Sequence, residues 1–229
     1  MTSSNNLPGA AIFDMDGVLV DSNPFHIQKW VEFLDERGVR YDVEELPKQV
    51  LGHRNDHAFR FFFGPGMTKE EMAQLSEELE RRFRAAFRAH AKPLPGLESL
   101  LRQCYEAGIP MAVASSAMAK NVEFIVDALG FRSYFRCLVS GDEVQHPKPH
   151  PEIYLRTSER LGLVPAACVA LEDSFVGVEA AKEAGMKCVA IASTFPLEEV
   201  RAHGRADLVV PSFESLSLDA LRCLFAAPH

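Results

Sequence analysis

Ala10-Ala11-Ile12-Phe13-Asp14-Met15-Asp16-Gly17 reads as a strand that runs straight into two carboxylates and a glycine. Four apolar residues without polar alternation fit a parallel strand covered on both faces. Asp14 and Asp16, two apart at its end, would both lie in the crevice where open α/β sheets bind ligands. Gly17 permits the sharp turn that leaves them exposed. A pair of this kind also serves as a plain turn cap, and alone it does not separate the structural reading from the functional one.

Outward from this segment, short apolar runs alternate with helical patterns. Strands are expected at Ala10–Phe13, Met111–Ser115, Cys137–Ser140, Cys168–Leu171, Cys188–Ala192 and Leu208–Val210. Helices between them end in glycine, from Leu97 to Gly108, Val122 to Gly130, Pro151 to Gly162 and Val178 to Gly185. The fold class that follows is α/β, a Rossmann-like parallel sheet flanked by helices. One interval breaks the alternation. Residues 24–92 offer no strand; Phe25, Trp30, Phe33 and Leu34 recur at helical spacing, and Thr68 with Glu71 forms a capping box that opens a long helix through Phe87. The expected organisation is a catalytic core of residues 1–23 and 93–229 with an all-helical domain of residues 24–92 inserted above the C-terminal edge of the sheet.

The 229 residues, 47% hydrophobic and 24% charged, are those of a globular chain and exclude disordered and collagenous classes. With 24 Lys and Arg against 32 Asp and Glu, the net charge of −8 lacks the footprint of a nucleic-acid or anionic-membrane binder. No apolar run reaches the roughly 18 residues of a membrane span, and Met1–Ala10 does not read as a signal peptide. Five cysteines without a CxxC pair read as free thiols of a cytoplasmic protein. A monomer is the default expectation.

Other strand ends give the first acidic pair its meaning. The second strand ends in Ser115-Ser116, hydroxyls suited to phosphate oxygens, and the fourth ends in a second acidic pair, Glu172-Asp173. Between them stands His146-Pro147-Lys148-Pro149-His150-Pro151, where three prolines restrict the backbone around Lys148. Each piece has a plain reading: Ser115 as a helix cap, Lys148 as a surface charge, Glu172-Asp173 as a turn, Ser174 as a helix N-cap. Acid pair, hydroxyl, lysine and acid pair nevertheless fall in order along one edge of one sheet.

In that combination, Asp14 to Ser22 (DMDGVLVDS), the Ser115 strand end, Lys148 to Tyr154 (KPHPEIY) and Leu171 to Ser174 (LEDS) resemble the four motifs of the haloacid dehalogenase-like superfamily. The resemblance covers Ala11 to about Pro211. The helical insertion after the first motif is similar to the cap of the branch that holds β-phosphoglucomutase and small sugar-phosphate phosphatases. It implies phosphoryl transfer, with Asp14 as nucleophile and Asp16 as general acid and base. It also implies Mg²⁺ held by Asp14, the Asp16 carbonyl, Asp173 and Glu172. Lys148 would neutralise charge, and Ser115, Ser116 and the Met15 and Asp16 backbone amides would orient phosphate oxygens. In the cap, His26, Gly52, His53 and Arg54 would meet the substrate. His26 reads as well as a helix residue packed near Trp30. The mutase pattern places a lysine before the glycine where this chain has Leu51. The expected function is a Mg²⁺-dependent phosphatase of a small phosphorylated metabolite, a sugar or polyol phosphate. The alternatives are a phosphohexomutase of the β-phosphoglucomutase type and a catalytically silent binding protein. The run Arg81, Arg82, Arg84 and Arg88 follows Glu77, Glu78 and Glu80 and reads as a solvated helix face.

Overall fold

The structure, a computed structural model, describes residues 7–226. Its six strands are β1 (Ala10–Phe13), β2 (Met111–Ala114), β3 (Phe135–Val139), β4 (Cys168–Glu172), β5 (Lys187–Ile191) and β6 (Leu208–Val210). They form one parallel sheet in the order β3-β2-β1-β4-β5-β6. The chain builds outward from β1 on one side and then returns to build outward on the other. The topological switch point, where such sheets hold ligands, therefore lies beside β1. Phe13 pairs with both Val113 and Leu171, so β1, β2 and β4 end at the same level.

Alternation within β1 explains its unbroken apolar sequence. Ala11 and Phe13 enter the core on one face of the sheet, and Ala10 and Ile12 enter the core on the other. Emptying the Phe13 position to alanine has a typical cost of about 3–5 kcal/mol. Between β1 and β2 lie α1 (Asn23–Asp35), α2 (Leu46–Val50), α3 (Asn55–Phe63), α4 (Lys69–Phe87) and α5 (Leu97–Glu106). The later helices are α6 (Ala119–Ala128), α7 (Glu152–Leu161), α8 (Phe175–Glu183), α9 (Leu197–His203) and α10 (Leu218–Leu224). Helices α5, α6 and α10 cover one sheet face; α7, α8 and α9 cover the other.

Helices α1 to α4 build an apolar cluster of their own, in which Trp30 packs against Phe33 and Phe59 with ring centroids 5.7 and 5.0 Å apart. The Thr68–Glu71 capping box starts α4. The far end of α4 turns away from that cluster, and Phe83 and Phe87 join the core under the sheet. Where the chain enters and leaves these helices its two passages are joined: the Leu94 amide donates to the Leu19 carbonyl at 3.0 Å, and Val20 bridges to Pro93.

Several boundaries differ from the sequence reading. β3 starts at Phe135, α6 at Ala119 and α8 at Phe175, each ahead of the residue expected to open it. For α8 the reason is its cap, since the Ser174 hydroxyl accepts from the Gly177 amide at 3.1 Å and fixes the first turn. All five cysteines are free, and Cys223 is exposed. Among the described residues no helix is long and apolar enough to cross a membrane.

Candidate active site

The level ends of β1, β2 and β4 bring together residues more than 130 positions apart. Asp14 leaves β1, its amide donating to the Leu171 carbonyl of β4 at 3.0 Å. Lys148 reaches in from the proline-rich loop, its side chain 1% exposed. Its ammonium donates to Asp14 Oδ1 at 2.7 Å, to Glu172 Oε1 at 2.5 Å and to the Ala114 carbonyl at 3.3 Å. Asp14, Glu172 and Asp173 each offer a carboxylate oxygen within 4.8 Å of the others. The Glu172 carboxylate also accepts from the Tyr154 hydroxyl and, through Oε2, from the Ser174 hydroxyl at 3.3 Å. Asp173 accepts from Asn23 at 3.1 Å and from Thr194.

Gly17 makes this closeness possible. Its φ is +73°, and a Cβ there would stand 1.9 Å from Asp173 Oδ2. A side chain would drive the first acidic loop off the second.

Three carboxylates and one ammonium share a dry space, so negative charge is in excess. Burial pushes the Asp14 carboxyl up to about 7, Lys148 pulling against the rise and Glu172 and Asp16 adding to it. Burial, then Asp14 and Glu172, push Asp173 well above the carboxylate range. Its carboxylate neighbours raise the Lys148 ammonium despite its burial. A hard cation with oxygen ligands is what this donor set fits: the oxygens converge, they are anionic, and one lysine leaves them uncompensated.

Asp16 faces the other way, into a cavity of about 680 Å³ between the sheet edge and the helical insertion. Its Oδ1 accepts from the Ser22 hydroxyl at 2.5 Å and lies 3.2 Å from His26 Nε2. Burial works against ionisation of Asp16, but His26 and Ser22 overcome it and hold the carboxyl below its ordinary value. His26 is raised for the reciprocal reason, Asp16 outweighing the burial of the ring. The imidazole stacks on Phe83 at 3.9 Å. His26 thus faces the site, not the Trp30 cluster.

The other residues named from sequence are placed as follows. Ser115 is buried one residue past the carbonyl that Lys148 touches, and its hydroxyl accepts from the Ala117 amide at 3.1 Å. Met15 has its side chain in the core and its carbonyl engaged by the Leu19 amide at 2.8 Å, which shapes the turn after β1. The Ser116 hydroxyl donates to the Gly52 carbonyl at 2.9 Å, tying sheet edge to insertion. Gly52, with φ +77°, lies so close to α8 that a Cβ would meet Ser174 Oγ at 2.7 Å. Arg54 lines the cavity and donates to the Val144 carbonyl at 3.3 Å. His53 also lines it and stacks on His57 at 4.0 Å; burial, with His57 alongside, pushes it down to about 4. Of the basic run, Arg82 pairs with Glu36 and Glu78, as a solvated face does, while Arg84 reaches across to Asn121.

Sequence reasoning missed Asn23 and Thr194 and gave no role to Ser22 and Tyr154, which lie inside the quoted motifs, or to Glu80. A signal existed for Thr194, which lies just past β5 on the same sheet edge. Glu80, almost fully buried, accepts from Asn55 at 2.7 Å and from Asn121 of α6 at 2.5 Å, and its face lay hidden within a charged stretch.

The family model for haloacid dehalogenase-like hydrolases matches residues 11–191. The chain belongs to this family. Among relatives of this haloacid dehalogenase-like hydrolase, the fructose-1-phosphate phosphatase YqaB of Escherichia coli is 30% identical over 78% of this chain and 93% of its own length. A chloroplastic 5-amino-6-(5-phospho-D-ribitylamino)uracil phosphatase of Arabidopsis thaliana is 28% identical over 93% of this chain, which spans 57% of that longer protein. The crystal structure of β-phosphoglucomutase from Clostridium difficile superposes with a TM-score of 0.84, covering 96% of this chain and 97% of the other. At 24% identity that likeness speaks for the fold alone. The six-stranded parallel sheet flanked by helices and the buried acidic cluster agree with membership.

Proposed function

We propose that the protein is a Mg²⁺-dependent phosphatase of a small sugar or polyol phosphate, acting through an aspartyl-phosphate on Asp14. The observation that carries the reading is Asp14 Oδ1 held 2.7 Å from Lys148 Nζ, with Asp16 two residues on at the cavity wall. Asp14, Asp173, Glu172 and the Asp16 carbonyl would hold the ion, which when bound supplies positive charge to the phosphoryl oxygens and relieves the carboxylate surplus.

Asp14 attacks phosphorus, forming an acyl-phosphate bond as the ester P–O bond breaks. Lys148 stabilises the charge on nucleophile and phosphoryl group, and Ser115 and the Met15 and Asp16 amides orient the oxygens, while Ser116, whose hydroxyl is given to Gly52, ties the insertion over them. The leaving alkoxide takes a proton from Asp16, which His26 Nε2, 3.2 Å from its Oδ1, is placed to resupply. Asp16 then accepts a proton from the water that attacks phosphorus, freeing Asp14 and inorganic phosphate. Hydroxyl-bearing substrates suit a cavity whose walls include His53, Arg54, Asn55 and Ser116. Residues 24–92 would act as a cap that opens for substrate and closes over it, in a monomeric, cytoplasmic enzyme.

A mutase needs cationic help to hold a doubly phosphorylated intermediate. Leu51, apolar and 9% exposed at the cavity, supplies none before Gly52, which favours the hydrolase; Arg54, Arg60 and Lys69 line the same cavity, so product analysis decides between the two. The test is phosphate release from a panel of sugar and polyol phosphates with Mg²⁺, for wild type and Asp14→Asn. The variant should fall to background while keeping its fold. Near-wild-type turnover by the variant would falsify the assignment, and interconversion of hexose 1- and 6-phosphates by wild type would select the mutase.

A further inference from the structure

The loop that delivers Lys148 carries a second constellation on its outer side. Pro147 and His150 close a turn, the His150 amide donating to the Pro147 carbonyl at 3.0 Å. The turn sends Lys148 inward to Asp14 and leaves His146 and His150 outside with ring centroids 4.5 Å apart. Beside them Glu152, in the first turn of α7, accepts from the backbone amides of Gln145 and His146 at 2.9 Å each. Those two bonds hold the carboxylate ionised, down to about 2, and fix where it points. The His146 ring lies 2.9 Å from Glu152 Oε2 through Nδ1, and His150 Nδ1 accepts from the Glu152 amide at 3.3 Å. Each of the three residues has a ligating atom within 4.8 Å of the other two.

We propose that His146, His150 and Glu152 form a second metal site, for a late first-row transition ion such as Zn²⁺, separate from the carboxylate cluster beneath it. Two imidazoles and one carboxylate are a borderline-soft donor set that prefers such ions to Mg²⁺, whereas the inner cluster offers hard oxygen donors only. Three features beyond proximity support the site. Pro147, Pro149 and Pro151 limit the backbone freedom that metal binding would otherwise have to remove. Glu152 has the backbone hydrogen bonds that orient a metal-binding carboxylate. Both imidazoles are exposed, so the ion can reach them, while water completes its coordination. The ion takes the place of the hydrogen between His146 Nδ1 and Glu152, the neutral ring turning to its Nε2–H tautomer so that Nδ1 is free to coordinate. Because the same turn points Lys148 at Asp14, an ion here stiffens the segment that aims the buried ammonium.

The experiment is calorimetric titration of the untagged full chain with Zn²⁺ in excess Mg²⁺. It is run on wild type, on the double variant His146→Asn/His150→Asn and on Asp173→Asn. Wild type and Asp173→Asn should share one Zn²⁺ equivalent that the double variant loses or binds at least 10-fold more weakly. The imidazole nitrogen resonances of His146 and His150 should shift with that equivalent. Circular dichroism confirms that the double variant, altered only at exposed rings, is folded. Unchanged Zn²⁺ binding in the double variant, or a Zn²⁺ equivalent lost only in Asp173→Asn, overturns the site. Neither result bears on the phosphatase reading, which Asp14→Asn tests separately.

Discussion

The half of the site supplied by the sheet and the half supplied by the helical insertion handle charge differently. At the sheet, Asp14, Glu172 and Asp173 crowd around one lysine, and burial lifts the carboxyls of Asp14 and Asp173. Two residues past Asp14, Asp16 meets a histidine from α1 and is lowered. The same residue type is thus tuned in opposite directions by what faces it. A carboxyl crowded by its own kind is suited to sharing a cation, whereas one paired with an imidazole is suited to moving a proton.

Removing Lys148 tests the sheet half most severely. Lys148→Ala should lower turnover at least about 10³-fold, since charge stabilisation at the phosphoryl group goes with it. Without metal it should also destabilise the fold by about 3–5 kcal/mol, the usual consequence of stripping a buried charge of its partner. Steady-state kinetics and urea unfolding read the two effects. A loss of activity with unchanged metal-free stability would mean that the buried ion pairs do not hold the sheet edge together.

The pair that Asp16 of the β1 loop makes with His26 of the insertion is probed by Asp16→Asn and His26→Gln. The first should cost about 10²-fold in kcat, within the range for a lost general acid. The second should cost less, about tenfold, because Asp16 retains Ser22. With an aryl phosphate whose leaving group needs no proton, both variants should recover the first step, read as a burst of aryl alcohol, while water attack on the aspartyl-phosphate stays slow. A first step slowed equally on good and poor leaving groups would break the contrast by making Asp16 a structural residue.

A third test concerns pH. In the metal-free chain the carboxyls of Asp14 and Asp173 are raised above those of unfolded aspartates, so the native state binds more protons from about pH 4 upward, for Asp14 as far as about 7. Their contribution to stability therefore falls as pH rises through that window. Wild type compared with Asp173→Asn by urea midpoint should show the steeper decline, and Mg²⁺ should flatten it. Parallel curves would show that Asp173 is not held protonated.

The contrast also explains what could be read in advance. A parallel strand buried on both faces must be apolar throughout, so β1, β2 and β4 were visible as runs, and the residue after each run had only one place to go. Asp14, Ser115, Glu172 and Asp173 were legible for that reason, and Lys148 because prolines flank it. The insertion gives no such signal. Helical spacing marks an apolar stripe but does not say whether His26 turns toward Trp30 or Asp16, since that depends on Phe83, 57 positions away, arriving to stack on the ring. Asn23, Tyr154 and Thr194 were hidden similarly: each meets its acidic partner only when the sheet is assembled.

The smallest expected effect is at Glu80, where the insertion grips the core. Its carboxylate accepts from Asn55 within the insertion and from Asn121 of α6, while Asn121 Oδ1 accepts from Arg84 at 2.6 Å. Glu80→Gln would turn one acceptor into a donor that faces an amide already donating. Asn121 cannot flip to accommodate it without losing Arg84. The contact is buried, so a donor left unpaired costs about 1–3 kcal/mol. That cost falls on the closed arrangement alone, provided an open one lets water reach these groups. Substrate must then draw the halves together at its own expense, and KM should rise several-fold while kcat changes little. Asn121→Ala, made from the core side, should do the same, and the double variant should be less than additive because both remove one contact. A large fall in kcat for Glu80→Gln with KM unchanged would place Glu80 in the chemistry through His26, and the insertion would then be doing more than closing over the sheet.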